Sequence, residues 1–197
     1  MIKKIMLATQ NKDKLKEFQI LFKPYNFHPF LPSKRLSVPE TGQTFSANAL
    51  LKAKAYARFF NLPVVADDSG LCIDYLNGQP GIHSHRFALN GFPAARRKIL
   101  KLMRHLPRSR RAAQFICCLA YVNPQTKISR VFTGQAQGFI ALKEIGSNGF
   151  GYDPIFFCPD LNKTFAQATS VQKNQFSHRA KALKKLLSFL KQSATPK

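Results

Sequence analysis

Residues 5–18 read Ile-Met-Leu-Ala-Thr-Gln-Asn-Lys-Asp-Lys-Leu-Lys-Glu-Phe, and the fold is decided on this stretch. Ile5 to Thr9 reads as a short buried strand. Asn11 can cap the segment after it, where Leu15, Phe18 and Phe22 recur at helical spacing. Strand followed by helix is the opening of an α/β protein, and downstream segments extend the pattern. Pro24, Pro29, Pro32 and Pro39 predict a break in regular structure. A helix rich in Ala, Leu and Lys is predicted from about Phe45 to Phe60, stopped by Asn61-Leu62-Pro63. Val64 to Ala66 reads as a short buried strand ending in Asp67-Asp68-Ser69-Gly70, and Pro80-Gly81 as a turn. Pro93 to Leu106 reads as a basic helix. Ala113–Val122 and Ser129–Thr133 read as a hairpin around Asn123-Pro124, with Gln137–Leu142 a further strand and Gly146–Asp153 a loop. Ser177 can cap a last helix carrying a Leu183, Leu186, Leu187, Leu190 stripe, and the tail after Gln192 is expected to fray. Early alternation followed by clustered strands predicts an α/β or α+β fold with a mixed sheet. No repeat, low-complexity tract or linker divides residues 1–197, so a single domain is expected.

Composition narrows the function. Hydrophobic residues make up 45% and charged residues 20% of the 197, a globular rather than a disordered balance. Lys plus Arg number 31 against 9 acids, a net charge of +22 that attracts polyanions. The cations are dispersed, densest at Arg96–Lys98, Arg104–Arg111 and Lys181–Lys191. A solvated basic surface therefore ranks above specific nucleic-acid recognition. Cys72, Cys117, Cys118 and Cys158 form no CxxC pair, which argues against zinc and for small buried residues in a reducing compartment. The N-terminal apolar run is too short for a signal peptide, and no stretch approaches membrane-spanning length. A soluble cytoplasmic protein without membrane partners is expected.

Five constellations can carry chemistry. Thr9-Gln10-Asn11-Lys12-Asp13-Lys14 is a polar turn at a helix start, offering backbone N–H groups, a hydroxyl, an amide and ammonium groups to a phosphate chain; such turns are also ordinary caps. Asp67 and Asp68 follow an apolar strand, costly unless a cation binds, in a chain with only nine acids. Magnesium takes one or two carboxylates with phosphate oxygens and waters, and a carboxylate can also take a proton from water. Glu40-Thr41-Gly42 precedes a helix placing Asn48 and Lys52 on one face. Gly149-Phe150-Gly151-Tyr152-Asp153 lets backbone approach a flat ligand on which Phe150 could stack. Lys173 and Ser177-His178-Arg179 suit an anion or a base edge. No Ser-His-Asp or Cys-His arrangement supports a nucleophilic site.

With these segments in view, the chain resembles the inosine triphosphate pyrophosphatase family, also called Ham1-like or dITP/XTP pyrophosphatases. The resemblance rests on LATQNKDKLKEF, ETGQTFSANALLKA, VVADDSGLCIDYLNGQPGIHS, GFGYDPIFF and SHRAKALKKLL, in order from Ile5 to Leu190. It implies an elongated α/β structure in which two lobes share a long mixed sheet flanked by helices, with an active-site cleft between them, and a homodimer. It implies a magnesium-dependent hydrolase converting ITP, dITP and XTP to the monophosphate and pyrophosphate, cleansing the nucleotide pool. By resemblance, Thr9, Gln10, Asn11, Lys12, Asp13 and Lys14 would cradle the triphosphate. Glu40 and Asp68 would hold Mg2+ with Asp67 beside them, and Asp68 would be the general base. Lys52 would contact phosphate and Ser69 the substrate. Phe150, Gly151, Tyr152, Asp153, Lys173, His178 and Arg179 would enclose the base.

The chain departs from the family pattern at three places. Ala47 stands where the family usually has Glu, Gln10 where it has Gly, and Gln167, Val171 and Gln172 where acids are common. Ala47 leaves two expectations open: a raised magnesium requirement that Ala47→Glu would lower, or a neutral helix position. The alternative function is an impaired family member acting as a basic nucleotide- or nucleic-acid-binding protein.

Overall fold

The computed structural model describes residues 3–9, 11–25 and 27–192. Seven strands and five α-helices occur along the described residues, alternating as far as α3 and then grouped as four strands and two helices: β1 (Lys3–Leu7), α1 (Lys12–Phe22), β2 (Phe27–Phe30), α2 (Phe45–Phe60), β3 (Val64–Ile73), α3 (Gly91–Leu102), β4 (Ala112–Asn123), β5 (Ile128–Ile140), β6 (Phe156–Cys158), β7 (Lys163–Thr164), α4 (Ser170–Phe176) and α5 (His178–Gln192). The strands form one mixed sheet in the order β2-β1-β3-β4-β5-β6-β7. β1 runs parallel to β2 and β3, while β6 is antiparallel to β5 and β7. The α/β class expected from the sequence is the class observed.

Local chemistry explains the best-predicted elements. α1 starts where Asn11 accepts hydrogen bonds from the backbone N–H groups of Asp13 (2.9 Å) and Lys14 (3.1 Å). α2 spans Phe45–Phe60 as predicted; Thr44 caps it through Ala47 N–H at 3.1 Å, and Asn61, at φ 51°, ends it in the left-handed region.

Four expectations are corrected. β3 does not stop at Ala66 but runs through the acidic pair to Ile73. Gln137–Leu142 is not a separate strand, because β5 continues from Ile128 to Ile140. The basic helix starts at Gly91 and ends at Leu102. Pro29 lies inside β2, tolerated because β2 is an edge strand whose outer side needs no N–H donor. α4 was not expected; a capping box closes its start, with Thr169 Oγ1 accepting from Gln172 N–H (3.2 Å) and Gln172 Oε1 from Thr169 N–H (3.0 Å).

The chain forms two compact units. Unit 1 comprises the described residues within 1–68, 117–134 and 179–197; unit 2 comprises residues 69–116 and 135–178. In unit 1, Ile5, Leu7, Val65, Cys117, Leu119 and Tyr121 pack with Phe18 and Phe22 of α1 and the predicted leucine stripe of α5. The intervening strand positions Met6, Val64, Ala66, Cys118 and Ala120 are buried too, so the sheet is covered on both faces here. In unit 2, Leu71, Ile73, Phe115, Ala136, Ile140, Phe156 and Phe165 pack with Ala95 and Ile99 of α3. Arg111 is buried in the same unit, donating to the backbone carbonyls of Met103, Ile140 and Ala141. Of the cysteines, Cys117, Cys118 and Cys158 are buried and Cys72 is half-buried; all four are free thiols. Among the described residues, no helix is long and apolar enough to cross a membrane.

Candidate active site

In unit 1 the centre is β3. Successive strand residues point to opposite faces, so Asp67 and Asp68 are adjacent in sequence but serve different sides of the sheet. Asp67 is buried, with Lys14 Nζ at 2.9 Å from Oδ1 and Arg179 Nε at 2.7 Å from Oδ2. Burial alone would raise its pKa, but the Lys14 and Arg179 cations hold it well below the ordinary carboxylate range. Arg179 Nη1 also donates to Glu17. Burial would lower the guanidinium pKa, but Glu17 and Asp67 drive it upward. Lys14, Asp67, Arg179 and Glu17 are thus one alternating chain of charges.

On the other face, Asp68 Oδ1 lies 3.1 Å from Lys52 Nζ, which also donates to Glu40 Oε1 at 2.8 Å and to the Asp67 carbonyl at 2.9 Å. Asp68 Oδ2 is buried with no hydrogen-bond partner among the described residues. Burial raises the Asp68 pKa, and the attraction of Lys52 and Lys14 recovers only part of that. Burial would lower the Lys52 pKa, but Asp68 and Glu40 reverse it and the net shift is upward. The turn carrying Glu40 is pinned from α2: Asn48 Oδ1 accepts from Gly42 N–H at 2.8 Å. Gly42 is required there, since a Cβ would lie 2.7 Å from both Asn48 Oδ1 and the Ala47 Cβ.

The polar turn before α1 is more self-contained than the sequence suggests. Asn11 N–H donates to Thr9 Oγ1 (3.2 Å), and the Asn11 carboxamide takes the N–H groups of Asp13 and Lys14. Those three backbone donors, expected to be unpaired, already have partners. Lys12 and Asp13 are exposed, and Gln10 lies outside the described residues.

In unit 2 the centre is the Gly149–Asp153 turn. Asp153 is buried; its Oδ2 accepts from Phe150 N–H at 3.0 Å and from Lys173 Nζ at 2.7 Å. Gly149 has φ 72°, and a Cβ on it would stand 2.0 Å from Asp153 Oδ2. The Lys173 ammonium lies 5.2 Å from the Phe150 ring centroid and 5.5 Å from that of Phe165. Tyr152 donates to the Ser84 carbonyl at 2.8 Å, and burial pushes its pKa up. The Gly151 carbonyl accepts from Arg96 Nη1 at 2.8 Å. His178 is buried and stacks on Phe115, centroids 4.7 Å apart and planes 9° apart. Ser69 is half-buried on β3.

Two of the residues expected at the site, Arg179 and Asp67, have partners within unit 1. Arg179 and His178 were read together as base-enclosing, yet Arg179 bonds to Glu17 and Asp67 in unit 1 while His178 stacks in unit 2. Asp67, read as a possible metal ligand, has both oxygens bound to cations. Glu17, Ser84 and Arg96 were not singled out as site residues, whereas Asn48 was placed on one helical face with Lys52. Glu17 alone had a visible signal: it is one of nine acids and stands three residues after Lys14.

Glu40 and Asp68 fit a divalent cation. Both converge on one ammonium, and Asp68 keeps a buried oxygen without a partner. Among the described residues no three His, Cys, Asp or Glu side chains cluster as metal ligands.

The mixed sheet flanked by helices defines the class as an α/β protein, and β3 carries a carboxylate–lysine cluster within it. Comparison makes the assignment specific: residues 5–189 match the Ham1 family model, and the chain belongs to the Ham1 family. It is 43% identical over 188 residues to a dITP/XTP pyrophosphatase of Listeria innocua, covering 93% of this chain and 92% of that one. A dITP/XTP pyrophosphatase of Haemophilus ducreyi is 43% identical over 185 residues, covering 91% and 94%. Among solved structures, the Staphylococcus aureus Ham1 protein matches with a TM-score of 0.85 at 40% identity, covering 97% of this chain and all of that one.

Proposed function

We propose that this chain hydrolyses deaminated purine nucleoside triphosphates, dITP, ITP and XTP, to the monophosphate and pyrophosphate. The observation that carries the proposal is the Glu40–Lys52–Asp68 cluster with its partnerless buried carboxylate oxygen, in a chain 43% identical to dITP/XTP pyrophosphatases. In this reading water attacks the α-phosphorus. A new P–O bond forms, the bond from the α-phosphorus to the bridging oxygen breaks, and the proton of the water passes to the Asp68 carboxylate. Burial raises the Asp68 pKa, which makes the carboxylate a stronger proton acceptor. Mg2+, held by Glu40 and Asp68, would supply charge neutralisation and orientation of the triphosphate. Lys14, oriented by Asp67, and Lys52 stabilise charge on the departing pyrophosphate. Thr9, Gln10, Asn11, Lys12 and Asp13 border the phosphate chain, with Lys12 and the helix dipole contributing most, because Asn11 already occupies neighbouring amides. Arg179 and Glu17 act on Asp67 as positioning residues.

Ser69, Phe150, Gly151, Tyr152, Asp153, Lys173 and His178 recognise the nucleoside. Lys173, buried against Asp153, is a donor suited to a 6-oxo group and unsuited to a 6-amino group. The chain works in the cytoplasm as a homodimer, without a specific nucleic-acid partner. The test is pyrophosphate release from dITP, ITP, XTP, GTP and ATP with and without magnesium. The first three should lead by a wide margin, with pyrophosphate as product. Orthophosphate release, or equal rates on all purines, would refute the reading.

A further inference from the structure

We propose that the Lys52 ammonium is the resident cation of the Glu40–Asp68 carboxylate pair, and that the pair takes up a divalent cation only by releasing it. The inference rests on the reading of Glu40 and Asp68 as metal ligands and adds what must happen to Lys52. An ammonium has three N–H donors. Lys52 directs them at three oxygens: Glu40 Oε1 at 2.8 Å, Asp68 Oδ1 at 3.1 Å and the Asp67 carbonyl at 2.9 Å. In this arrangement Lys52 has no donor left for a phosphate, so it cannot serve the carboxylates and a triphosphate at once.

A magnesium ion needs carboxylate oxygens at roughly 2.0–2.1 Å. Such an ion at this pair would meet the ammonium at close range with like charge. The two cations therefore compete for Glu40 and Asp68. Releasing Lys52 frees its three donors for the anionic substrate, so metal uptake and phosphate contact favour one another, and the coupling is reciprocal. The Glu40 turn is fixed by Asn48 through Gly42 N–H at 2.8 Å, so the exchange needs only the flexible lysine side chain to move. The expected phenotype is a chain that holds a divalent cation weakly alone and more tightly with a triphosphate.

The test measures Mn2+ binding to the nucleotide-free full chain, counting free Mn2+ by electron paramagnetic resonance. Lys52→Met and Lys52→Gln should bind Mn2+ about tenfold more tightly than wild type, the factor that corresponds to about 1.4 kcal/mol. Lys52→Arg, which keeps a cation there, should bind no more tightly. In the wild type, Lys52 should resist reductive methylation without metal and become reactive when Mg2+ is added; this measurement decides the matter if the variants fail to fold. Equal or weaker Mn2+ binding by Lys52→Met and Lys52→Gln, or methylation indifferent to Mg2+, would overturn the exchange. Asp68→Asn separates the two levels. Loss of Mn2+ binding there with no tightening in Lys52→Met overturns the exchange alone. Undiminished Mn2+ binding overturns the ligand assignment and the exchange with it.

Discussion

Ala47→Glu tests what the acid missing from this chain would do. Ala47 is the third residue of α2, and its N–H donates to the capping hydroxyl of Thr44 at 3.1 Å. A glutamate at that position can reach back to the Thr44 N–H and close a capping box. The protein already builds this device at α4, where Gln172 and Thr169 exchange both bonds at 3.0 and 3.2 Å. One further exposed hydrogen bond contributes about 0.5–1.5 kcal/mol. The first turn of α2 carries no acid, so a new negative charge also meets the helix dipole, for a further ~0.3–1 kcal/mol. Partial exposure and the lost helix propensity of Ala favour the lower ends, giving about 1 kcal/mol in total. For a chain of this size that raises Tm by about 2–4 °C. The assay is a thermal melt of both proteins beside a magnesium titration of ITP turnover. The capping account expects a higher Tm and superimposable magnesium curves. An unchanged Tm with a lower magnesium requirement would refute it and return the residue to the metal's surroundings.

Asp68→Asn should reduce turnover by ~10²–10⁴-fold or more through loss of the base. Yet it should raise the metal-free Tm at neutral pH: the folded pKa lies above the ordinary 3.8, so stability present below that value is lost as pH rises through the folded pKa, and the amide escapes that loss. Asp67 behaves with the opposite sign. Its folded pKa lies below 3.8, so its contribution is complete above that value and lost as pH falls through the folded pKa; urea unfolding between about pH 2 and 7 should show an acid slope that Asp67→Asn flattens, at a cost of about 3–5 kcal/mol near neutrality. Gly149→Ala should destabilise by more than ~2 kcal/mol and narrow the preference for ITP over ATP, because φ 72° and a Cβ 2.0 Å from Asp153 Oδ2 force that carboxylate off Lys173; a native melt with intact preference would remove Asp153 and Lys173 from base recognition.

The sequence disclosed what is local. Asn11 capping α1, the span of α2 and its stop at Asn61 depend on neighbours within a few residues. The leucine stripe of α5 is local too, and it packs on the sheet as its period requires. The extent of β3 was not local. A strand rarely continues through two carboxylates, and this one does because Asp67 meets Lys14 from 53 residues away and Arg179 from 112 residues away. The same distance hid Glu17, which finds Arg179 across 162 residues. Nothing in the SHR segment says that Arg179 bonds to Glu17 and Asp67 while His178 stacks on Phe115; those partners come from distant segments. Five ordered segments were enough to identify the family, whereas assigning each side chain to its partner required the fold.

The adjacency of Asp67 and Asp68 then acquires a physical meaning that a paired-ligand reading misses. Both are buried on one strand, and burial pushes both pKa values upward. Their surroundings differ because the strand turns them to opposite faces. Asp67 meets Lys14 and Arg179, which overcome the burial cost and keep it ionised well into acid. Asp68 meets Lys52, shared with Glu40 and with a backbone carbonyl, and keeps one oxygen without a partner. Environments that drive two carboxylates apart assign them different work. Asp67 is the fixed anion that stabilises β3 and orients Lys14. That stability lets the next residue remain undercompensated, the condition on which the proposed role of Asp68 toward a metal ion and a proton depends.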